Sequence, residues 1–331
     1  MSASGATWVI VLAAGDGRRL HSLTTNAAGM AVPKQFCSLR GGDSLLRDAM
    51  NRAEAVALPQ HICLIVAEQH RLWWNAALET VDKSNVIVQP RNRGTAIGIL
   101  LPLLHIMRRD PEARIVLLPS DHHVDNERVL ADALRRATRL LKAMSRQIVL
   151  LGFSPEQADP ELGYIVPGDK VGRTLSTVQR FVEKPSAGRA RRLIKSGALW
   201  NSFIMAARAG ALLELFESRI PRAVEDMRAA VARDYGHPEN HAATADCYRH
   251  LADIDFSSGI LAGAESVLRV LPVVQCGWSD LGTPTRLAET LQRLPRRRKP
   301  PPTSLNPLAG FLNLSLQHAQ LQSLADAVTA E

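Results

Sequence analysis

The chain has 331 residues, 46% of them hydrophobic and 22% charged, and a formal charge of +8. This is the composition of a folded globule of one large domain or two moderate ones, and it excludes a disordered, fibrous or membrane-spanning chain. The four cysteines, Cys37, Cys63, Cys247 and Cys276, form no CxxC pair, which excludes zinc-finger and disulfide-scaffold readings, and the first residues lack a leader's basic and apolar regions, so a cytoplasmic protein is expected.

The first predicted element is a buried strand at 8–14, an apolar run rich in Val that ends at glycine. The loop after it is Gly15-Asp16-Gly17-Arg18-Arg19-Leu20. Its two glycines let backbone N–H groups close on an anion, and the planar fork of Arg19 suits phosphate oxygens. Pro33-Lys34-Gln35 adds a second cation beside a rigid proline. A loop wrapped around a triphosphate is the simplest chemical reading. It is not a P-loop, which needs GxxxxGK[ST], nor a dinucleotide fingerprint, which needs glycine where Leu20 stands. A helix follows at 44–56, with Asp43 or Ser44 as its cap. Then come a strand at 61–67, helical sequence to Leu78, a short strand at 85–89 and a helix at 95–107. A fourth strand, 114–118, runs into Pro119-Ser120-Asp121-His122. A helix at 127–142 and a strand at 147–153 continue the alternation, which predicts a doubly wound α/β sheet.

The second half changes character. Segments 164–166 and 177–182 read as strands that pair antiparallel, and 186–196 as a basic helix. Residues 209–235 are mostly helical, with Pro221 as a break. A late strand at 267–274 leads to Cys276-Gly277-Trp278-Ser279-Asp280, and 286–294 closes the folded part. Residues 1–294 are thus expected to form one domain. Residues 295–331 are expected to be a basic, proline-rich linker and a short tail whose apolar pattern packs on the body or on a second subunit, which leaves a homo-oligomer open. The cationic run from Arg293 to Lys299 lacks interleaved aromatics, so no nucleic-acid partner is expected.

Ligands of open α/β sheets bind beyond the carboxyl ends of strands. Asp121 and Asp280 each follow a strand, and two such carboxylates can share a Mg²⁺ that bridges phosphates. The adjacent His122 and His123 point apart and lack further zinc ligands in sequence. Gln89 to Ala96 leads into a helix N-terminus, where amide, hydroxyl and backbone groups can read a purine edge. Glu183 and Lys184 put a carboxylate and an ammonium side by side at a strand end, suited to a sugar hydroxyl and a phosphate. Trp200-Asn201-Ser202 offers a further sugar contact.

Taken in order, LAAGDGRRL, PKQF, QPRNRGTA, LPSDH, Gly163-Tyr164, FVEKP, WNS and GWSDLG resemble the mannose-1-phosphate guanylyltransferase family of sugar-phosphate nucleotidyltransferases, across about residues 8–290. The resemblance implies a GT-A-like (Rossmann-like) nucleotidyltransferase fold, α/β with a mixed, mostly parallel sheet flanked by helices. It implies transfer of GMP from GTP to mannose 1-phosphate, with Mg²⁺ as cofactor. Carried over, Ala13, Ala14, Gly15, Gly17, Arg19 and Lys34 would bind the triphosphate, and Gln89, Asn92, Gly94 and Thr95 would lie near guanine. Gly163, Tyr164, Glu183, Lys184 and Asn201 would hold the sugar phosphate, and Asp121 and Asp280 the metal. Arg19, Lys34 and Lys184 would be the catalytic cations; no protein nucleophile is implied, because a phosphate itself attacks. The chain departs from the family at Phe203, where glycine is usual, at Ser22, where proline is common, and in an insertion at 26–30. Gly263 stands near the place of a glutamate that follows the Asp255 segment, and no C-terminal β-helix or cupin-like extension is expected after Asp280. Two alternatives stay open: a related transferase with a different base, sugar or alditol, and a catalytically weak regulatory subunit that binds a sugar nucleotide.

Overall fold

The computed structural model describes residues 5–26, 29–39, 41–235 and 241–294. Its first half alternates as the apolar runs predict: β1 (Thr7–Ala13), α1 (His21–Thr24), α2 (Leu45–Glu54), β2 (Ile62–Ala67), α3 (Arg71–Ala77), β3 (Val86–Gln89), α4 (Gly94–Arg109), β4 (Arg114–Pro119), α5 (Glu127–Leu140) and β5 (Ile148–Phe153). The second half holds β6 (Gly163–Val171), β7 (Leu175–Val182), α6 (Ala187–Lys195), β8 (Leu199–Arg208), α7 (Ala209–Arg219), α8 (Pro221–Asp234), α9 (Ala242–His250), β9 (Leu268–Val273) and α10 (Pro284–Arg293). The linker and tail expected at 295–331 lie outside the described residues.

The strands join in one sheet, in the order β3-β2-β1-β4-β8-β5-β9-β7-β6. β1 is parallel to β2 and β4, β2 to β3, and β5 to β9. β8 runs antiparallel between β4 and β5, and β6 and β7 form the antiparallel pair expected of them. Successive side chains leave a strand on opposite faces. Val9, Val11, Leu64, Val66, Val116 and Leu118 pack in the core shared with α2, α3, α5 and α6. Trp8, Ile10, Cys63, Ile65, Ile115 and Leu117 pack in the core shared with α4, α7 and α8. Burial on both faces is why these strands read as unbroken apolar runs rather than alternating ones.

Three features differ from the sequence reading. Residues 199–208 form a full strand, β8, where only a sugar contact was expected. Helix α9 and a π turn at Ser257–Leu261 had no predicted counterpart. Pro221 does break the helical run, and it does so by opening α8 at the first turn, where its missing N–H costs nothing. Among the described residues, no helix is long and apolar enough to cross a membrane.

Candidate active site

The ends of β1, β3 and β4 open into a pocket of about 350 Å³, whose far wall comes from the ends of β6, β7 and β8. The loop after β1 contributes Ala14, Gly15 and Arg19, with Lys34 and Gln35 beside it. Gly17 turns this loop at φ 65°, and a Cβ there would press on Lys34 N at 3.2 Å and on Lys34 Cβ at 3.3 Å. Glycine is therefore required by conformation and by space. Gln35 Nε2 donates to Ala13 O at 2.9 Å and to Gly15 O at 3.0 Å, which fixes the loop from behind. The Asp16 carboxylate turns aside to Gln69 Nε2 at 2.7 Å and Arg18 at 3.0 Å. The loop thus offers the pocket its backbone and its cations, not its own carboxylate. Arg19 pairs with Glu161 at 3.0 Å, with both side chains about half exposed. Ala13 is fully buried in the core and Gly17 packs behind Lys34; neither is among the pocket's lining residues.

Two remote loops meet over Lys34. The segment after β4 and the segment after β9 form a short antiparallel bridge: His123 N donates to Ser279 O at 2.8 Å, and Ser279 N donates to His123 O at 2.9 Å. This bridge brings Asp121 and Asp280 to the same pocket. Lys34 Nζ lies 2.9 Å from Asp121 Oδ2 and donates to Asp280 O at 2.6 Å. Burial alone would raise the Asp121 carboxyl, but Lys34 and His122 outweigh it and hold it below the ordinary range. Burial pushes His122 down to about 4, so its ring is neutral near pH 7. Trp278 Nε1 donates to His122 Nδ1 at 3.3 Å, which places the ring hydrogen on Nε2. Asp280 is gripped by Arg286, whose Nε lies 2.7 Å from Oδ1 and whose Nη2 donates to Oδ2 at 3.0 Å. The same guanidinium reaches Asp159, so Arg286 joins two loops across the pocket's edge.

The loop after β3 leads into α4. Gln89 is almost fully buried, and its Oε1 has no hydrogen-bond partner. Asn92 Oδ1 accepts from Gly94 N at 2.9 Å. Thr95 Oγ1 donates to Asp255 Oδ2 at 3.1 Å and accepts from Phe256 N at 2.8 Å. Gln89, Asn92, Gly94 and Thr95 all line the pocket. Arg93 does not; it is spent on Tyr248 O at 2.9 Å, Arg249 O and Asp253.

On the far wall, Gly163 pairs with Asn201, and Tyr164 with Val182, so Gly163 lies beside Glu183. A Cβ on Gly163 would fall 2.7 Å from Glu183 Oε2 and 3.3 Å from Asn201 Cβ. Glu183 Oε2 is buried without a partner, and burial together with Asp255 raises its carboxyl. Tyr164 is fully buried and is not a lining residue; its hydroxyl donates to Asp159 O and accepts from Asp159 N, and so holds the 159–162 loop. Lys184 is exposed just outside the lining. The described non-glycine residues at positive φ are Lys184, Phe203 and Leu281, each directly after a pocket residue: Glu183, Ser202 and Asp280. Backbone strain thus concentrates at this pocket, as it does at functional sites.

Sequence reasoning assigned no pocket role to Gln35, Glu161, Asp255 or Arg286. The partners that give the last three their roles come from distant segments: Arg19 for Glu161, Thr95 for Asp255, and Asp159 for Arg286. No local spacing announces such pairs. Gln35 alone had a signal, its place beside Lys34.

Residues 8–297 match the family model described as nucleotidyl transferase. The chain is 28% identical over 286 residues to mannose-1-phosphate guanylyltransferase 2 of Escherichia coli O157:H7, an alignment that covers 83% of this chain and 58% of the relative. It is 30% identical over 298 residues to mannose-1-phosphate guanylyltransferase ManC of Salmonella typhimurium strain LT2, covering 86% of this chain and 60% of that one. The chain therefore spans about three fifths of the length of these curated relatives. Among solved structures it superposes with a TM-score of 0.73 and 26% identity on a crystal structure from Thermus thermophilus described as a mannose-1-phosphate geranyltransferase, covering 88% of this chain and 81% of that chain.

Proposed function

The chain belongs to the nucleotidyl transferase family, and from that premise we propose that it transfers GMP from GTP to mannose 1-phosphate and releases pyrophosphate. One observation carries this reading. Two lining residues at opposite arms of the sheet, Gln89 at the end of β3 and Glu183 after β7, each bury an acceptor oxygen with no partner, and the cations Arg19 and Lys34 follow β1 between them. A buried unpaired acceptor costs about 1–3 kcal/mol, and in this reading the ligand supplies the donor to each. Guanine supplies N–H donors, a sugar supplies hydroxyls, and the phosphates between them meet the cations.

In this reading a phosphate oxygen of the sugar phosphate attacks the α-phosphorus in line. The bond from that phosphorus to the bridging oxygen of the β-phosphate breaks, and pyrophosphate leaves with the electron pair. No proton has to be removed, so the residues position and neutralise. Lys34 and Arg19 stabilise the departing pyrophosphate, and Lys184 steers the attacking phosphate. Arg19 must first leave Glu161, an exposed pair worth at most about 1 kcal/mol.

In this reading Asp121 and Asp280 would hold the Mg²⁺ ion, with Asp280 shared between the ion and Arg286. They are hard oxygen donors, and Lys34 already holds a positive charge against one carboxylate and the other residue's carbonyl. When bound, the ion supplies neutralisation of phosphate oxygens. The reaction is tested by pyrophosphate release over four nucleoside triphosphates and several sugar 1-phosphates. GTP with mannose 1-phosphate is expected to be fastest; a clear preference for UTP, dTTP or CTP overturns the base assignment.

A further inference from the structure

Strand β8 does not run straight through the pocket wall. Its pairing with β5 shifts between Leu150–Met205 and Gly152–Asn201, so that Ser202, Phe203 and Ile204 stand opposite Leu151 alone. A bulge of this kind beside a site re-aims a side chain. Here it is braced from within. Ser202 Oγ donates to Leu151 O at 2.9 Å and accepts from Ile204 N at 3.2 Å, and Phe203 N donates to Asn201 Oδ1 at 3.2 Å. At the crest Phe203 adopts φ 62°, a left-handed conformation that a bulky side chain disfavours. Its ring joins the pocket lining next to Asn201 and meets Phe256 edge-on, with centroids 5.7 Å apart. Phe256 N in turn donates to Thr95 Oγ1 at 2.8 Å. The ring therefore links the wall that carries Asn201, through Phe256, to the segment that holds Thr95. A pocket of about 350 Å³ is at the small end for ligand sites, so the space a phenyl ring takes decides what else fits.

We propose that Phe203 is a specificity-determining residue that limits the size of the sugar, admitting a plain hexose 1-phosphate and excluding one that bears an N-acetyl group. The proposal rests on reading Glu183 and Asn201 as the sugar end of the pocket. The experiment is isothermal titration of mannose 1-phosphate, N-acetylglucosamine 1-phosphate and GTP into the full chain and its Phe203→Gly and Phe203→Leu variants, with pyrophosphate release measured alongside. The affinity for the N-acetyl sugar relative to mannose 1-phosphate is expected to rise by at least about tenfold in Phe203→Gly and by less in Phe203→Leu. Should the glycine variant fail to fold, the leucine variant carries the comparison. An unchanged ratio in folded variants overturns the proposal, as does a wild type that binds both sugars equally. The expected shift in binding without any turnover supports the role of Phe203 and overturns the proposed reaction. Binding of neither sugar phosphate by any of the proteins overturns both.

Discussion

Lys34 gathers oxygens from three places: the Asp121 carboxylate at 2.9 Å, Asp280 O at 2.6 Å and Leu281 O at 3.3 Å. An ammonium so placed can exchange partners when phosphates arrive, without any change of fold. Asp121→Asn and Asp280→Asn are each expected to lower turnover by at least about 100-fold, through lost stabilisation of transition-state charge. Asp121→Asn should fold, because Asp121 lies past the end of β4; Asp280→Asn also weakens the buried pair with Arg286, so circular dichroism and urea denaturation are read for it before its rate is assigned to the metal. A near-normal rate in either at saturating Mg²⁺ removes that residue from the metal site. At this scale the sequence was most informative where a motif is contiguous. Gly15, Arg19, Lys34, Asp121 and Asn201 all line the pocket as read from their segments. Arg286 was illegible because its partners, Asp159 and Asp280, come from two different loops, and a lone arginine at the start of a helix announces neither. Lys184 shows the converse: its segment was legible, yet its φ of 41° and exposed position could not be read from residue types.

The end of the pocket formed by α4 depends on two elements that the chain keeps far apart. The N-terminus of α4 is braced by residues 248–256. Ala96 N donates to Ile254 O at 3.0 Å, Ile254 N donates to Arg93 O at 3.1 Å, and the Arg93 guanidinium holds the carbonyls of Tyr248 and Arg249. Gly94 sits in the middle of this brace at φ 79°, and a Cβ there would lie 2.2 Å from Ile254 O. Gly94→Ala therefore meets both the left-handed penalty of about 1–2 kcal/mol and a clash with backbone that cannot swing away. A loss of at least about 2 kcal/mol in urea denaturation is expected, together with weaker GTP binding. Gly210→Ala in α7 is the control: a Cβ there meets nothing within 4 Å, and alanine is the better helix former by about 1 kcal/mol. Equal effects of the two substitutions would show that the brace does not matter. The start of α4 was legible from Thr95, one residue past its true first residue, Gly94. The brace was not, since 242–256 has no apolar alternation, and β8 escaped notice because Asn201, a residue depleted in strands, and the bulge at 202–204 interrupt its run.

Across the whole molecule, the order of strands lays out the chemistry. β3 carries the proposed base contacts, β1 and β4 the phosphate cations and Asp121, and β8, β7 and β6 the proposed sugar contacts. That layout depends on antiparallel β8 lying between β4 and β5, which turns the Asn201 end toward the same pocket. The last described element, α10, belongs to the same body. Leu287 and Leu291 pack with Leu20, Leu23 and Leu45 beside the loop that follows β1, and Arg286 holds Asp280. Two shortened chains therefore separate two contributions. One that ends at Leu294 keeps α10 and every residue assigned to chemistry, and it is expected to keep its kcat/KM within a few-fold, with any change in association read by light scattering. One that ends at Thr283 loses the Arg286 grip and uncovers the leucine cluster behind Arg19. It is expected to lose activity and to unfold at lower urea, since burial of each leucine is worth about 1.5–3 kcal/mol. If the chain ending at Leu294 stays folded but loses activity, residues beyond α10 complete the pocket, and the one-domain reading of residues 1–294 fails.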